Sequence, residues 1–284
     1  MLTRLNNISL SKKGKSTPPY PYITFTNSVT RTEIFDTDTS YNVYFLNSST
    51  NATLYNPQNI TIYYVAIGSG GSVTQGTGSY GVYTAVAGGG GAGAFLEGSI
   101  NVAGSGSTKT LTFSFGSSTN SVLTFPGQTI TAGKGANAST NNGSSGSNGS
   151  SGSGGGASGG STTVRTGGAG SAPGFAGASG QGTGGANFGG GGGGAGGAAS
   201  GSSGGPGKTI STTSMGINKI YTQTYCVGGS AGSVSKTGTS GSTGGFSTTF
   251  GSGGNSGWAQ SNKTGQLGAI MLAISVNDIP SPIV

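Results

Sequence analysis

Gly184 to Thr209 reads "GGANFGGGGGGAGGAASGSSGGPGKT". Glycine this dense has three readings: a flexible linker, a loop that cradles phosphate, or a helix type that only glycine can pack. The phosphate loop fails on detail. "SSGGPGKT" ends as a nucleotide-binding loop should, but Ser202 stands where the first glycine is required, and no apolar strand precedes it. No acidic residue nearby could position magnesium, and isolated G-x-G-x-x-G matches follow from composition alone.

The linker reading must account for the whole chain. Of 284 residues, 63 are glycine, 31% are hydrophobic and only 6% are charged. Disorder usually joins low hydrophobicity to high charge. Here charge is scarce, while 11 Tyr, 11 Phe and one Trp remain. Phe175, Phe188, Phe246, Phe250 and Trp258 punctuate the glycine-rich zone, and linkers have little use for aromatics. Residues 136 to 160 are the part that could be linker, although packed scaffold is the favoured reading there too.

The third reading rests on a period of three. Gly143, Gly146, Gly149, Gly152 and Gly155 keep this spacing without a break. Shorter sets follow: Gly174, Gly177, Gly180; Gly201, Gly204, Gly207; Gly238, Gly241, Gly244; and Gly251, Gly254, Gly257. A polyproline-II-type helix has three residues per turn and no internal hydrogen bonds. Its N–H and C=O groups point outward and need partners once buried. Many such helices packed together satisfy one another, provided the contacting positions carry no Cβ. Gly143, Gly146, Gly149, Gly152, Gly155, Gly174, Gly177 and Gly180 are the expected packing positions. The period never persists as it does in collagen, and proline is scarce. The expectation is therefore a bundle of short helices joined by turns.

The remainder reads as β. "YITFTNSV", "EIFDT", "YNVYFLNSS", "ATLYN" and "NITIYYVAI" are rich in β-branched and aromatic residues. Leu96, Gly98, Ile100 and Val102 alternate, as do Leu111, Phe113 and Phe115, and again Ile270, Leu272, Ile274 and Val276. The last set predicts a strand that closes a sheet after a long excursion. No segment has the apolar period of a helix. The expected fold is all-β with polyglycine-II helices: small β-sandwich-like sheets, a bundle of short glycine-rich left-handed helices, and almost no α-helix. Its parts are an extended arm (1–18), a β-strand docking region (19–58), a glycine-rich domain (59–276) and a tail (277–284). Within the domain, strands are expected over 59–135 and 268–276, and polyglycine-II helices and loops over 136–267.

Composition narrows the function. Five of the twelve cations, Arg4, Lys12, Lys13, Lys15 and Arg31, lie in the first 31 residues, and the rest are scattered. Nucleic-acid binding needs a clustered basic face, so none is expected. With no histidine and one cysteine, Cys226, a His/Cys metal cluster or nucleophile pair is impossible. Asp36 and Asp38 could share one face of an extended segment for calcium or acid–base work, but a solvated turn in "FDTDTS" is the favoured reading. We expect no enzyme, no metal and no cofactor. The start "MLTRLNNISL" lacks the apolar run of a signal peptide, and no stretch has the ~20 apolar residues of a membrane span.

In this light "NVYFLNSSTNATLYNPQNITIYYVAIGSGGSV" resembles the glycine-rich domains of phage tail fibres and of many virus-derived proteins. "AGGGGAGAFLEGSINV", "STKTLTFSFGSSTNSVLTFPGQTITAGKGA" and "GQLGAIMLAISV" follow in the family's order, so the resemblance spans about residues 41 to 276. Three departures stand: Ser69 breaks the first glycine run, the long oligoglycine tracts are reduced, and "KTISTTSMGINKIYTQTYCV" (208–227) interrupts the glycine zone. The resemblance implies a virion structural or attachment protein, made in the host cytoplasm, whose partners are other virion proteins or copies of itself. A host-surface glycan or protein is a further candidate partner. Arg4, Lys12, Lys13 and Lys15 are candidates for docking on the particle. Tyr80, Tyr83, Met215, Tyr221, Tyr225, Phe246, Phe250 and Trp258 are candidates for receptor contact, since aromatic rings supply contact area at low entropic cost. For each single ring the favoured reading is a cap on the bundle or a filler between strands and glycine helices. A purely structural capsid or filament subunit is the alternative function. Ice binding is a minor one, because regular Thr spacing is absent.

Overall fold

The computed structural model describes residues 21–36, 39–73, 79–80, 83–84, 86–116, 119–138, 146–147, 149, 153–156, 164–182, 186–235, 241–242, 247–256 and 264–275. The described chain is mostly β and almost free of helix. Its strands are β1 (Tyr22–Phe25), β2 (Thr30–Asp36), β3 (Thr39–Leu46), β4 (Thr50–Tyr55), β5 (Ile60–Ile67), β6 (Ser79–Tyr80), β7 (Tyr83–Thr84) and β8 (Phe95–Val102). Then come β9 (Thr108–Ser114), β10 (Ser121–Phe125), β11 (Gln128–Ala132), β12 (Gln181–Gly182), β13 (Ala186–Phe188), β14 (Ser233–Ser235), β15 (Gly241–Ser242) and β16 (Ala269–Ser275). The helix α1 (Ile217–Ile220) has four residues.

Two antiparallel five-stranded sheets organise this list. Sheet 1 runs β1-β4-β9-β10-β11 and sheet 2 runs β2-β3-β16-β5-β8. Sheet 1 follows from its alternation. In β4, β9 and β10, Ala52, Leu54, Leu111, Phe113, Leu123 and Phe125 are buried at every second position, while Thr53, Thr112 and Thr124 between them are not. A period of two puts such residues on one face. Ile23, Leu54, Leu111, Phe113, Leu123 and Ile130 of sheet 1 share one core cluster with Leu46, Ile62, Ile100, Ile270, Leu272 and Ile274 of sheet 2. Full burial of each such side chain contributes roughly 1.5–3 kcal/mol.

Sheet 2 is buried on its other face as well. Tyr41, Val43, Val65, Ile67, Phe95, Met271 and Ala273 form a second cluster with Ile217, Tyr225 and Cys226. The strand expected to close a sheet takes the middle position: β16 pairs antiparallel with β3 on one side and β5 on the other. That explains its uninterrupted run "AIMLAI", in which all six residues are buried.

The glycine-rich segments form a hydrogen-bonded lattice beside these sheets. Within Gly89–Ala94 successive amides turn to three neighbours in rotation. Gly89 and Ala92 donate to Gly190 and Gly193, both at 2.9 Å; Gly90 and Gly93 donate to Gly254 and Gly251, both at 2.8 Å. Gly91 and Ala94 donate to Ala136 (2.9 Å) and Gly133 (2.8 Å). The carbonyls turn likewise: those of Gly91 and Ala94 accept from Gly71 and Gly68, those of Gly89 and Ala92 from Gly156 and Ser153, and that of Gly90 from Gly229. Six segments thus surround one. The same step of three recurs where Gly189, Gly192 and Ala195 donate to Gly232, Gly229 and Cys226.

Candidate functional site

Close approach is what the glycines provide. An ideal Cβ on Gly89, Gly91 or Gly93 would stand 1.8 to 2.1 Å from a backbone oxygen of Gly229, Ser153 or Gly68 respectively. Among the packing glycines expected from the sequence, Gly146, Gly155 and Gly177 are of this kind, with carbonyl oxygens 2.1 to 2.3 Å from the same position. Gly149 donates to Ala169, Gly174 to Ser171, and Gly180 pairs with Arg165 in both directions. Gly143 and Gly152 lie outside the described residues. In the stretch that could be linker, residues 136–160, Ala136, Ser153, Gly154 and Gly155 all hold backbone hydrogen bonds to other segments.

Serine enters the lattice where its hydroxyl finds a carbonyl. Ser69, which breaks the first glycine run, is fully buried; its Oγ donates to Thr119 O at 2.7 Å while its own carbonyl accepts from Gly135. Ser153 Oγ donates to Gly194 O at 2.9 Å and accepts the Phe175 amide at 3.2 Å. Each buried hydroxyl is therefore satisfied, as burial requires.

The insert at 208–227 clamps the glycine zone to sheet 2. Lys208 and Tyr225 exchange both backbone hydrogen bonds at 2.9 Å, closing the insert at its base. Glu97 of β8 is the anchor. Its Oε2 accepts the Ser211 amide and the Ser214 hydroxyl, each at 3.0 Å, and its Oε1 lies 3.9 Å from Lys208 Nζ. At the far side Lys219 Nζ lies 3.4 Å from Asp36 Oδ1. Between these ties Ile210, Ile217, Ile220 and Tyr221 cover the second core cluster.

This placement decides where the candidate contact residues lie. Tyr225 is fully buried, its ring 6.4 Å from that of Phe95, and desolvation pushes its phenol up from the ordinary range. Tyr221 and Phe250 pack on Phe45 at 5.5 and 5.3 Å between ring centres. These three rings fill space between sheet and glycine zone. Met215 is exposed at the tip of the insert. Tyr80 and Tyr83 pair across the β6–β7 hairpin. Phe246 and Trp258 lie outside the described residues, as do Arg4, Lys12, Lys13, Lys15 and Asp38. Exposed rings that sequence reasoning did not single out for contact are Phe35, Phe175 and Phe188.

Cys226 is held at φ 55°, unusual for a residue with a Cβ, with its Sγ 3.9 Å from Ala94 O. Complete burial pushes its thiol far above the ordinary range. An open depression at the ends of β5 and β8 is lined by Asn59, Ile60, Thr61, Asn101, Val102 and Ala103, none of them titratable. Among the described residues no group of three or more His, Cys, Asp or Glu could hold a metal ion, and no helix is long and apolar enough to cross a membrane. Comparison of the chain with protein-family models, curated proteins and solved structures found no match.

Proposed function

We propose that the glycine-rich segments are short polyglycine-II helices packed as a bundle, that sheets 1 and 2 stack as a β-sandwich at its base, and that the chain is a non-enzymatic structural protein of a virion. The observation that carries this reading is the threefold rotation of amide partners along Gly89–Ala94. A strand alternates its amides between two sides, and an α-helix spends them internally. A three-residue turn with outward N–H groups leaves them for six neighbours. Such a lattice, clamped through Glu97 and the insert, suits a rigid domain that projects from a particle. The resemblance in motif order to tail-fibre glycine-rich domains supports the same assignment. In this reading the N-terminal arm and the β-strand docking region (1–58) dock on the particle and the glycine-rich domain faces outward.

A purely structural role, without receptor contact, is favoured for Tyr221, Tyr225 and Phe250 by their inward packing. Met215, exposed on the insert, remains a candidate for outward contact, as do Tyr80 and Tyr83. Electron microscopy of purified particles, labelled with antibody against the recombinant chain, tests the assignment. Label on the capsid surface or fibres is expected; absence of the chain from the particle proteins by mass spectrometry overturns it. Competition by the recombinant chain for particle adsorption to host cells then separates attachment from scaffold.

A further inference from the structure

We propose that β2 is a self-complementary edge through which two copies of this chain pair, antiparallel about a two-fold axis at Thr32, joining their second sheets into one. β2 ends sheet 2, and among the described residues only β3 pairs with it. Thr30, Arg31, Thr32 and Glu33 are exposed in succession, and Phe35 is 72% exposed.

The other sheet ends are protected by familiar devices. β1 is four residues long and follows Pro21, and β11 is five residues long. β8 contains Gly98, and its Glu97 is bonded to the insert. β2 has seven residues, "TRTEIFD", with no Pro, Gly or Lys to discourage pairing.

Backbone geometry limits the register. Asp36 and Thr39 face each other across a two-residue connection, so they form a hydrogen-bonded pair. Alternation along the ladder then turns the N–H and C=O groups of Phe35, Glu33 and Arg31 away from β3. A second β2 must pair these outward residues with one another. An axis at Arg31 would set Arg31 against its own copy, and an axis at Glu33 would do the same for Glu33. The axis at Thr32 sets Arg31 opposite Glu33 twice and Phe35 opposite Val29 twice. Like charges directly opposed destabilise a ladder, whereas opposite charges and apolar pairs support it. Charge therefore selects the register. Among the described residues neither Arg31 nor Glu33 forms an ion pair. Main-chain hydrogen bonds supply the affinity, as in other strand additions. This pairing does not depend on the virion assignment, and either can fail alone.

Sedimentation velocity of the full chain across the micromolar range tests it. The wild type is expected to dimerise with concentration. Glu33→Arg, which opposes like charges, should weaken the dimer by about tenfold or more. The double exchange Arg31→Glu with Glu33→Arg should restore it. Glu33→Pro removes an amide that points off the sheet and should abolish dimerisation without lowering the thermal midpoint. A wild type that stays monomeric throughout, a dimer indifferent to Glu33→Arg and Glu33→Pro, or a double exchange that fails to restore pairing would overturn the proposal.

Discussion

Gly90 lies so close to Gly71 that a β-carbon on the former would stand 2.2 Å from the carbonyl oxygen of the latter. That oxygen cannot simply retreat, because it accepts the Gly254 amide at 2.9 Å, and Gly90 itself donates to Gly254. The relationship is repeated around the lattice: absence of a side chain is what lets each backbone serve as its neighbour's partner.

Substitution costs should therefore split by site. Gly90→Ala is expected to lose about 3 kcal/mol or more, since the methyl must displace backbone on both sides. Gly106 is the contrast: its φ is +61° and nothing lies within 4 Å of an added Cβ. Gly106→Ala should cost only about 1–2 kcal/mol, the strain of a left-handed residue. Urea midpoints of the two variants decide it, and equal costs would remove the lattice argument.

Glu97→Ala should loosen the insert before it loosens the fold. The carboxylate satisfies the Ser211 amide, the Ser214 hydroxyl and, at longer range, Lys208. Hydrogen bonds to a charged acceptor are worth roughly 1.5–3 kcal/mol each, and part of that loss falls on global stability. Hydrogen exchange should accelerate over 208–225 while β5 and β16 keep their protection. Uniform acceleration across the chain would show that the insert is no separate unit.

Cys226 should be inert in the folded protein. Burial is complete and holds the thiol in its neutral form, which is the unreactive one. Maleimide labelling at mildly alkaline pH is expected to track the unfolded fraction through a urea titration. Fast labelling of the native state would contradict the burial of this residue against Ala94.

Stability should fall as pH rises past about 10. Desolvation pushes the phenols of Tyr44, Tyr64, Tyr221 and Tyr225 above the ordinary value, with nearby Arg31 partly opposing this at Tyr44. Unfolded tyrosines release their protons near pH ~10, while these four retain theirs in the fold. The folded state then binds more protons than the unfolded one, so unfolding becomes easier with each further step in pH. Their contribution is fully present below that value. Urea midpoints measured across this range should decline, and Tyr44→Phe should flatten the decline.

Much of the β framework was legible in the chain itself. Leu111 and Phe113, or Ile270, Leu272 and Ile274, alternate because one face of a strand meets the core, and that rule acts between next-nearest residues. The all-β class and the scarcity of helix follow from the same local pattern. What β16 does between β3 and β5 was not legible: Met271 and Ala273 are buried by an insert some fifty residues earlier, and nothing adjacent to them signals it. Tyr225 was open to two readings in sequence, contact residue or, the favoured one, filler between strands and glycine helices, and in space it is a core residue.

The glycines mark the boundary between the two kinds of knowledge. Their number and period of three raised the expectation that backbone packs against backbone, because a chain without Cβ atoms has no other surface to offer. Which segment meets which was decided only in three dimensions. A glycine carries no side chain to label its partner, so the turn of Gly90 toward Gly254 and of Gly91 toward Ala136 is set by how six segments fit around one. Ser69 shows the converse: a residue that looked like an interruption belongs to the lattice, because the fold brings Thr119 to within 2.7 Å of its hydroxyl.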